Sequence, residues 1–275
     1  MDNVLEGIDY NVTLAPETPG MLLAGGILAL SVFIVMFIVI KKRWKGRVLP
    51  FFLALVTFTF VRIFAMLAES ALMLVPSIDA AFEYNPSALT VVDVLLSAVG
   101  YVAARWVVSN ILIERFERQG DVLLAGLGLG FGDAMLFGFT LVSNYVWCIA
   151  VDTGSLAQAF EGLTESEALT TYLSLQDLFY APAILWLLMG VSTVIDMVLH
   201  ILLTMVIFGV AKKQVPSVWH AICAVIYIGV IIPFQMYDYT SITSIMICFA
   251  VKLVIFAAAA YYISKNVFNS IQYEE

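Results

Sequence analysis

The chain has 275 residues, 62% of them hydrophobic and only 12% charged, with a mean hydropathy of +0.99 and a formal net charge of -8. That composition leaves too little polar surface to clothe a soluble globule of this length, so it excludes an ordinary soluble enzyme and points to lipid. The acidic balance, with no basic patch outside short connections, also excludes a nucleic-acid partner.

Taken in chain order, residues 1–20 form an acidic tail with Asp2, Glu6, Asp9 and Glu17. Apolar runs of about 20 residues, the length needed to cross a bilayer, then cover residues 21–40, 48–75, 88–113, 122–147, 182–210, 217–236 and 242–264. The expectation is an all-α polytopic membrane bundle of about seven spans, forming a single domain over residues 1–275. The acidic tail before the first run and the basic KKRWKGR cluster after it argue for a retained anchor rather than a cleaved signal.

Ten of the thirteen Lys and Arg residues fall in alternate connections: Lys41, Lys42, Arg43, Lys45, Arg47, Arg115, Arg118, Lys212, Lys213 and Lys265. The intervening connections carry acids and no base. By the positive-inside rule the N-terminus lies outside and the C-terminus in the cytoplasm, which places the chain as a multi-pass protein in a plasma membrane, with a bacterial one expected. Residues 151–181 repeat leucine and phenylalanine at loosely helical spacing among acids, the pattern of an amphipathic outer loop or cap. Pro182 opens a run too long for one upright crossing, so a tilted helix or a break near Gly190 is expected. Cys148, Cys223 and Cys248 have no ligand-like spacing and read as core thiols.

Eight ionisable side chains sit inside the apolar runs: Arg62, Glu69, Asp93, Arg105, Asp133, Asp196, His200 and Lys252. Each is costly in hydrocarbon, so each must face a protein interior or a wet cavity. Counting about 1.5 Å per residue from the span ends, Asp133, His200, Lys252 and Arg62 fall near mid-depth. Glu69, Asp93 and Asp196 lie towards the acidic side and Arg105 towards the basic side. Asp196 and His200 are four residues apart on one helix face and could share a metal or a hydrogen bond. Arg62 and Glu69, seven apart, read as a structural ion pair.

The run from Gly126 to Asp133 reads GLGLGFGD. It contains two offset GxxxG steps, Gly126 with Gly130 and Gly128 with Gly132, which let neighbouring backbones approach closely and deliver Asp133 into a tight helix contact.

This order of elements resembles the YhfC-type intramembrane metallopeptidases and, more distantly, the PrsW and CAAX-protease-like membrane proteins. The resemblance rests on Arg105 in the sequence AARW, the glycine run ending in Asp133, and His200 in a later helix, over residues 88–213. It implies a hydrolase, a peptidase acting on a membrane protein or peptide substrate, with zinc held by Asp133, His200 and Asp196. Arg105 and Arg62 would stabilise negative charge, Glu69 or Asp93 would supply the base, and Lys252 would complete the polar core. The chain departs from the family pattern in having no acid in residues 97–104, Asp133 where glutamate is usual, and Leu129 where histidine often stands. A member without catalytic activity that binds or scaffolds a membrane partner is one alternative. A proton- or cation-coupled transporter with a relay of Asp133, His200 and Lys252 is the other.

Overall fold

In the computed structural model residues 8–274 are described, apart from the side chains of Glu83 and Pro86. Asp2 and Glu6 of the acidic tail lie outside the described residues. The described residues are mainly helical, with no strand among them, in the order α1 (Thr18–Arg43), α2 (Leu49–Met73), α3 (Pro76–Tyr84), α4 (Pro86–Arg115), α5 (Gln119–Asp152), α6 (Leu156–Ala159), α7 (Glu165–Ser174), α8 (Gln176–Tyr180), α9 (Ile184–Ala211), α10 (Trp219–Ile231) and α11 (Ile242–Asn266). Six of them, α1, α2, α4, α5, α9 and α11, are long and apolar enough to cross a membrane. The apolar run at residues 217–236 forms a shorter helix, α10, ending in one 3-10 turn at Ile232–Gln235. Pro233 lies in that turn and cannot donate to a helix ladder, which shortens the regular part.

The long helix α9 is the centre of the bundle. Of its most apolar stretch 72% is buried, against 17% for α1 and α11, whose exposed leucines, isoleucines and valines form the bundle's apolar exterior. It runs unbroken through Gly190, where the α1 residue Gly25 lies so close that a Cβ on either glycine would strike the other helix's backbone. Around α9 pack α1, α4, α5, α10 and α11, while α2 lies against α4 and α5.

The glycine run of α5 explains how that helix serves two neighbours at once. Cβ atoms built on Gly126 and Gly130 would sit 2.5 and 2.7 Å from the Cα atoms of Ile201 and Met197 on α9. Those on Gly128 and Gly132 would meet the Phe51 carbonyl and the Phe58 ring of α2. The two GxxxG steps therefore face different helices, and Asp133 follows at the point where α5 is wedged between them.

The two ends of the bundle differ in chemistry. At the basic end, Asp121 in the first turn of α5 is fully buried and accepts from the Arg47 backbone N at 2.7 Å and from Arg47 Nε and Nη2 at 3.0 and 2.5 Å. This ties the α1–α2 turn to α5, and the bonded carboxylate raises the Arg47 pKa above its ordinary value. At the other end, residues 151–181 finish α5 and form the short helices α6, α7 and α8. Leu156, Phe160, Ala168, Tyr172, Leu178 and Phe179 bury themselves with Leu22, Leu141 and Trp186 from α1, α5 and α9, so this segment caps the bundle. Thr164 and Glu167 close a capping box at the start of α7.

A methyl group added at Gly130 must push α9 away, whereas one at Gly138 meets nothing within 4 Å. Gly130→Ala is expected to destabilise the protein by about 1–3 kcal/mol and Gly138→Ala to leave it unchanged or slightly more stable. Thermal melts of the two variants in the same detergent test the pair, and equal melting temperatures would contradict this packing.

Candidate polar site within the bundle

The buried polar groups are carried mainly by two helix faces. On α4, Asp93, Ser97, Tyr101, Arg105 and Ser109 recur every fourth residue, and on α9 so do Ser192, Asp196, His200 and Thr204. Residues at this spacing form an inclined ridge along a helix. The two ridges face each other, with α2, α5, α10 and α11 supplying the remaining partners.

The deepest group is a four-residue chain. Arg105, with none of its surface exposed, places Nη2 2.8 Å from His200 Nδ1, while His200 Nε2 lies 2.9 Å from Asp133 Oδ2. Tyr101, equally buried, donates its hydroxyl to Asp133 Oδ1 at 2.8 Å. A guanidinium has no acceptor, so His200 Nδ1 must accept and the ring's proton sits on Nε2, donated to Asp133. His200 is thus a neutral imidazole whose two nitrogens are both engaged. Arg105 Nε and Nη1 have no protein acceptor, and the guanidinium instead lies 5.4 and 6.0 Å from the ring centres of Tyr101 and Tyr227. Cation–π attraction offsets part of the cost of that burial.

Two further stations lie nearby. Lys252 Nζ sits 2.7 and 2.9 Å from the two oxygens of Asp196 and donates to Ser192 Oγ at 2.6 Å. Arg62 Nη1 donates to Ser97 Oγ at 3.2 Å and stands 3.7 Å from Asp93 Oδ1, with Glu69 beside Asp93. All three stations contribute to one cavity of about 310 Å³ lined by Arg62, Asp93, Asp133, Asp196, Tyr227 and Phe234, among others. At its capped end Tyr237 donates to Asp177 Oδ2 at 3.1 Å and Tyr239 to Gln176 at 2.8 Å, joining α8 to the α10–α11 connection.

The expected residues therefore come together in different pairs. Arg105 joins Asp133 and His200, whereas Lys252 pairs with Asp196 instead of entering a relay with them. The one-turn neighbours Asp196 and His200 make no mutual bond, and Arg62 pairs with Asp93 rather than with Glu69. Tyr101, Tyr227, Ser97 and Ser192 were not singled out among the sequence candidates. The four-residue spacing of Asp93 to Arg105 and of Asp196 to His200 contains the signal for Ser97, Tyr101 and Ser192, but nothing in the chain marks Tyr227.

Zinc would need about three ligands with free lone pairs. Both ring nitrogens of His200 are committed, Asp196 is held by Lys252, and no group of three or more His, Cys, Asp or Glu side chains among the described residues is placed to hold a metal ion. The arrangement does not fit the zinc set implied by the resemblance, and no step is derived through a metal. No family model, curated protein or solved structure matches the chain.

Two measurements check this geometry. His200→Leu leaves Arg105 buried without an acceptor and should cost about 3 kcal/mol or more, while adding Arg105→Met should recover a large part of it. Additive losses in chemical denaturation would contradict the contact. At the capped end, burial raises the Asp177 pKa above the ordinary 3.8, with the Tyr237 hydrogen bond opposing the shift. The folded state then holds that proton more tightly than the unfolded chain, so stability falls as pH rises from 3.8 through the raised value. Asp177→Asn should flatten that part of the melting-temperature profile, and an unchanged slope would show that Asp177 is not its source.

Proposed function

We propose that this chain is a proton- or cation-coupled secondary transporter of the plasma membrane, with α10 as a seventh, short span, the N-terminus outside and the capped end facing out. The observation that carries the reading is a polar cavity of about 310 Å³ within the bundle, onto which Arg62, Asp93, Asp133 and Asp196 converge from α2, α4, α5 and α9. A cavity of this size suits a small molecule. Charged groups retained inside a membrane bundle mark a solute or ion pathway more often than a structural core.

The pairing supports the same reading. Arg105 and Lys252 are enclosed against their own partners, while Arg62 shares the cavity wall with Asp93, Asp133 and Asp196, so a charged solute entering the cavity meets both signs rather than a uniform field. The alternation of basic and acid-only connections is the basis of the proposed orientation, and α10 crosses because its apolar run continues through the 3-10 turn to Gln235.

Reconstituted in proteoliposomes, the protein should carry a small solute, driven by an imposed proton or cation gradient. Asp133→Asn or Lys252→Ala should reduce flux about tenfold or more, as expected for loss of a charged group at the site. Gradient-driven uptake insensitive to both substitutions would overturn the reading. So would stoichiometric zinc in the purified protein that is lost in His200→Ala, which would return the site to metal chemistry.

A further inference from the structure

The charges on the cavity wall are unequally satisfied. Asp196 accepts from Lys252 on Oδ2 and has Oδ1 2.7 Å from the same ammonium, and that lysine is almost wholly buried, so the charge of Asp196 is neutralised by a direct ion pair. Asp133, 28% exposed, accepts one hydrogen bond on each oxygen, and both donors, the Tyr101 hydroxyl and the His200 N–H, are neutral. A carboxylate has about four acceptor positions, so Asp133 keeps capacity directed at the cavity. Arg62 is 38% exposed and uses one hydrogen bond, to Ser97, with Asp93 at 3.7 Å, beyond hydrogen-bond range. A guanidinium has about five N–H donors, so Arg62 is undersatisfied as well.

These two groups belong to different helices, lie within Coulomb reach of each other, and do not pair. A simple cation drawn to Asp133 would face the Arg62 charge across the same cavity. A simple anion drawn to Arg62 would face Asp93, Asp133 and Asp196. A molecule bearing both signs answers both groups at once. The rest of the wall, with Phe137, Met189, Tyr227 and Phe234, offers apolar and aromatic surface to an uncharged substituent.

We infer that the cavity binds a small zwitterion of the α-amino-acid class, its carboxylate on the Arg62 guanidinium and its ammonium group on the Asp133 carboxylate. The inference deepens the transporter reading and rests on it for the route by which the solute arrives. Charge-assisted hydrogen bonds at both ends supply orientation, since Arg and carboxylate meet as a planar fork, and the aromatic wall sets which substituent is accepted. No covalent step is involved.

The test is ligand-induced thermal stabilisation of the purified full-length protein in detergent, using the common L-α-amino acids one at a time, each matched with its amide, which is a cation, and its N-acetyl derivative, which is an anion. At least one free amino acid should raise the melting temperature saturably while its two derivatives do not. Arg62→Gln and Asp133→Asn should each weaken that binding about tenfold or more, and Arg62→Lys should retain more of it than Arg62→Gln. Failure of every free amino acid to stabilise the protein, or an amide or N-acetyl derivative as effective as its parent, overturns the inference, and the ligand panel decides this on the unmodified chain even where a variant does not fold. Zwitterion binding without gradient-driven flux would leave the inference standing and remove the transporter reading. Flux of another solute without zwitterion binding would do the reverse.

Discussion

An arginine enclosed by long apolar helices is the constraint around which the interior is organised. Arg105 has no exposed surface and no carboxylate in contact, so its charge must be accommodated by whatever the neighbouring helices present. They present an imidazole acceptor from α9 and the Tyr227 ring from α10, and the Tyr101 ring stands one turn away on Arg105's own helix, α4. That choice determines the rest of the chain: a histidine accepting on Nδ1 must donate from Nε2, and the acceptor it finds is Asp133 of α5. One buried guanidinium thereby dictates the tautomer of His200, the orientation of Asp133 and the role of the Tyr101 hydroxyl.

The contact is possible only because helices come unusually close. His200 and Asp133 meet at 2.9 Å because α5 has no side chains where α9 crosses it, at Gly126 and Gly130. On the other side Gly128 and Gly132 admit α2, which brings Arg62 to the same cavity. Small residues allow van der Waals packing in lipid, where the hydrophobic effect gives helices no reason to associate. The glycines therefore act on the site indirectly, by setting the distance between polar groups on separate helices.

Charge is graded along the site. At its deepest point the partners are a buried cation, a neutral ring and two tyrosines. Lys252 and Asp196 form a second, largely buried ion pair, and Arg62 and Asp93 stand 3.7 Å apart on the cavity wall. Spare hydrogen-bonding capacity occurs both on the cavity wall, at Arg62 and Asp133, and in the enclosed Arg105, whose Nε and Nη1 lie against aromatic rings instead of acceptors.

Much of this was legible in the chain. Hydropathy marked the long helices, the glycine run announced a close crossing, and all eight ionisable residues in apolar runs were recognisable because charge in hydrocarbon is costly. The segment at residues 217–236 was less legible, because hydropathy measures composition and Pro233 acts on backbone hydrogen bonding. What only the tertiary structure decided was the pairing. Sequence spacing identifies neighbours on one helix, as with Asp196 and His200 or Arg62 and Glu69, but each of these groups found its partner on a different helix. Such partners depend on crossing angle, depth and side-chain reach, and those exist only once the helices are packed; the amino-acid order determined which polar groups had to be satisfied, and the packing of α4, α5 and α9 determined by whom.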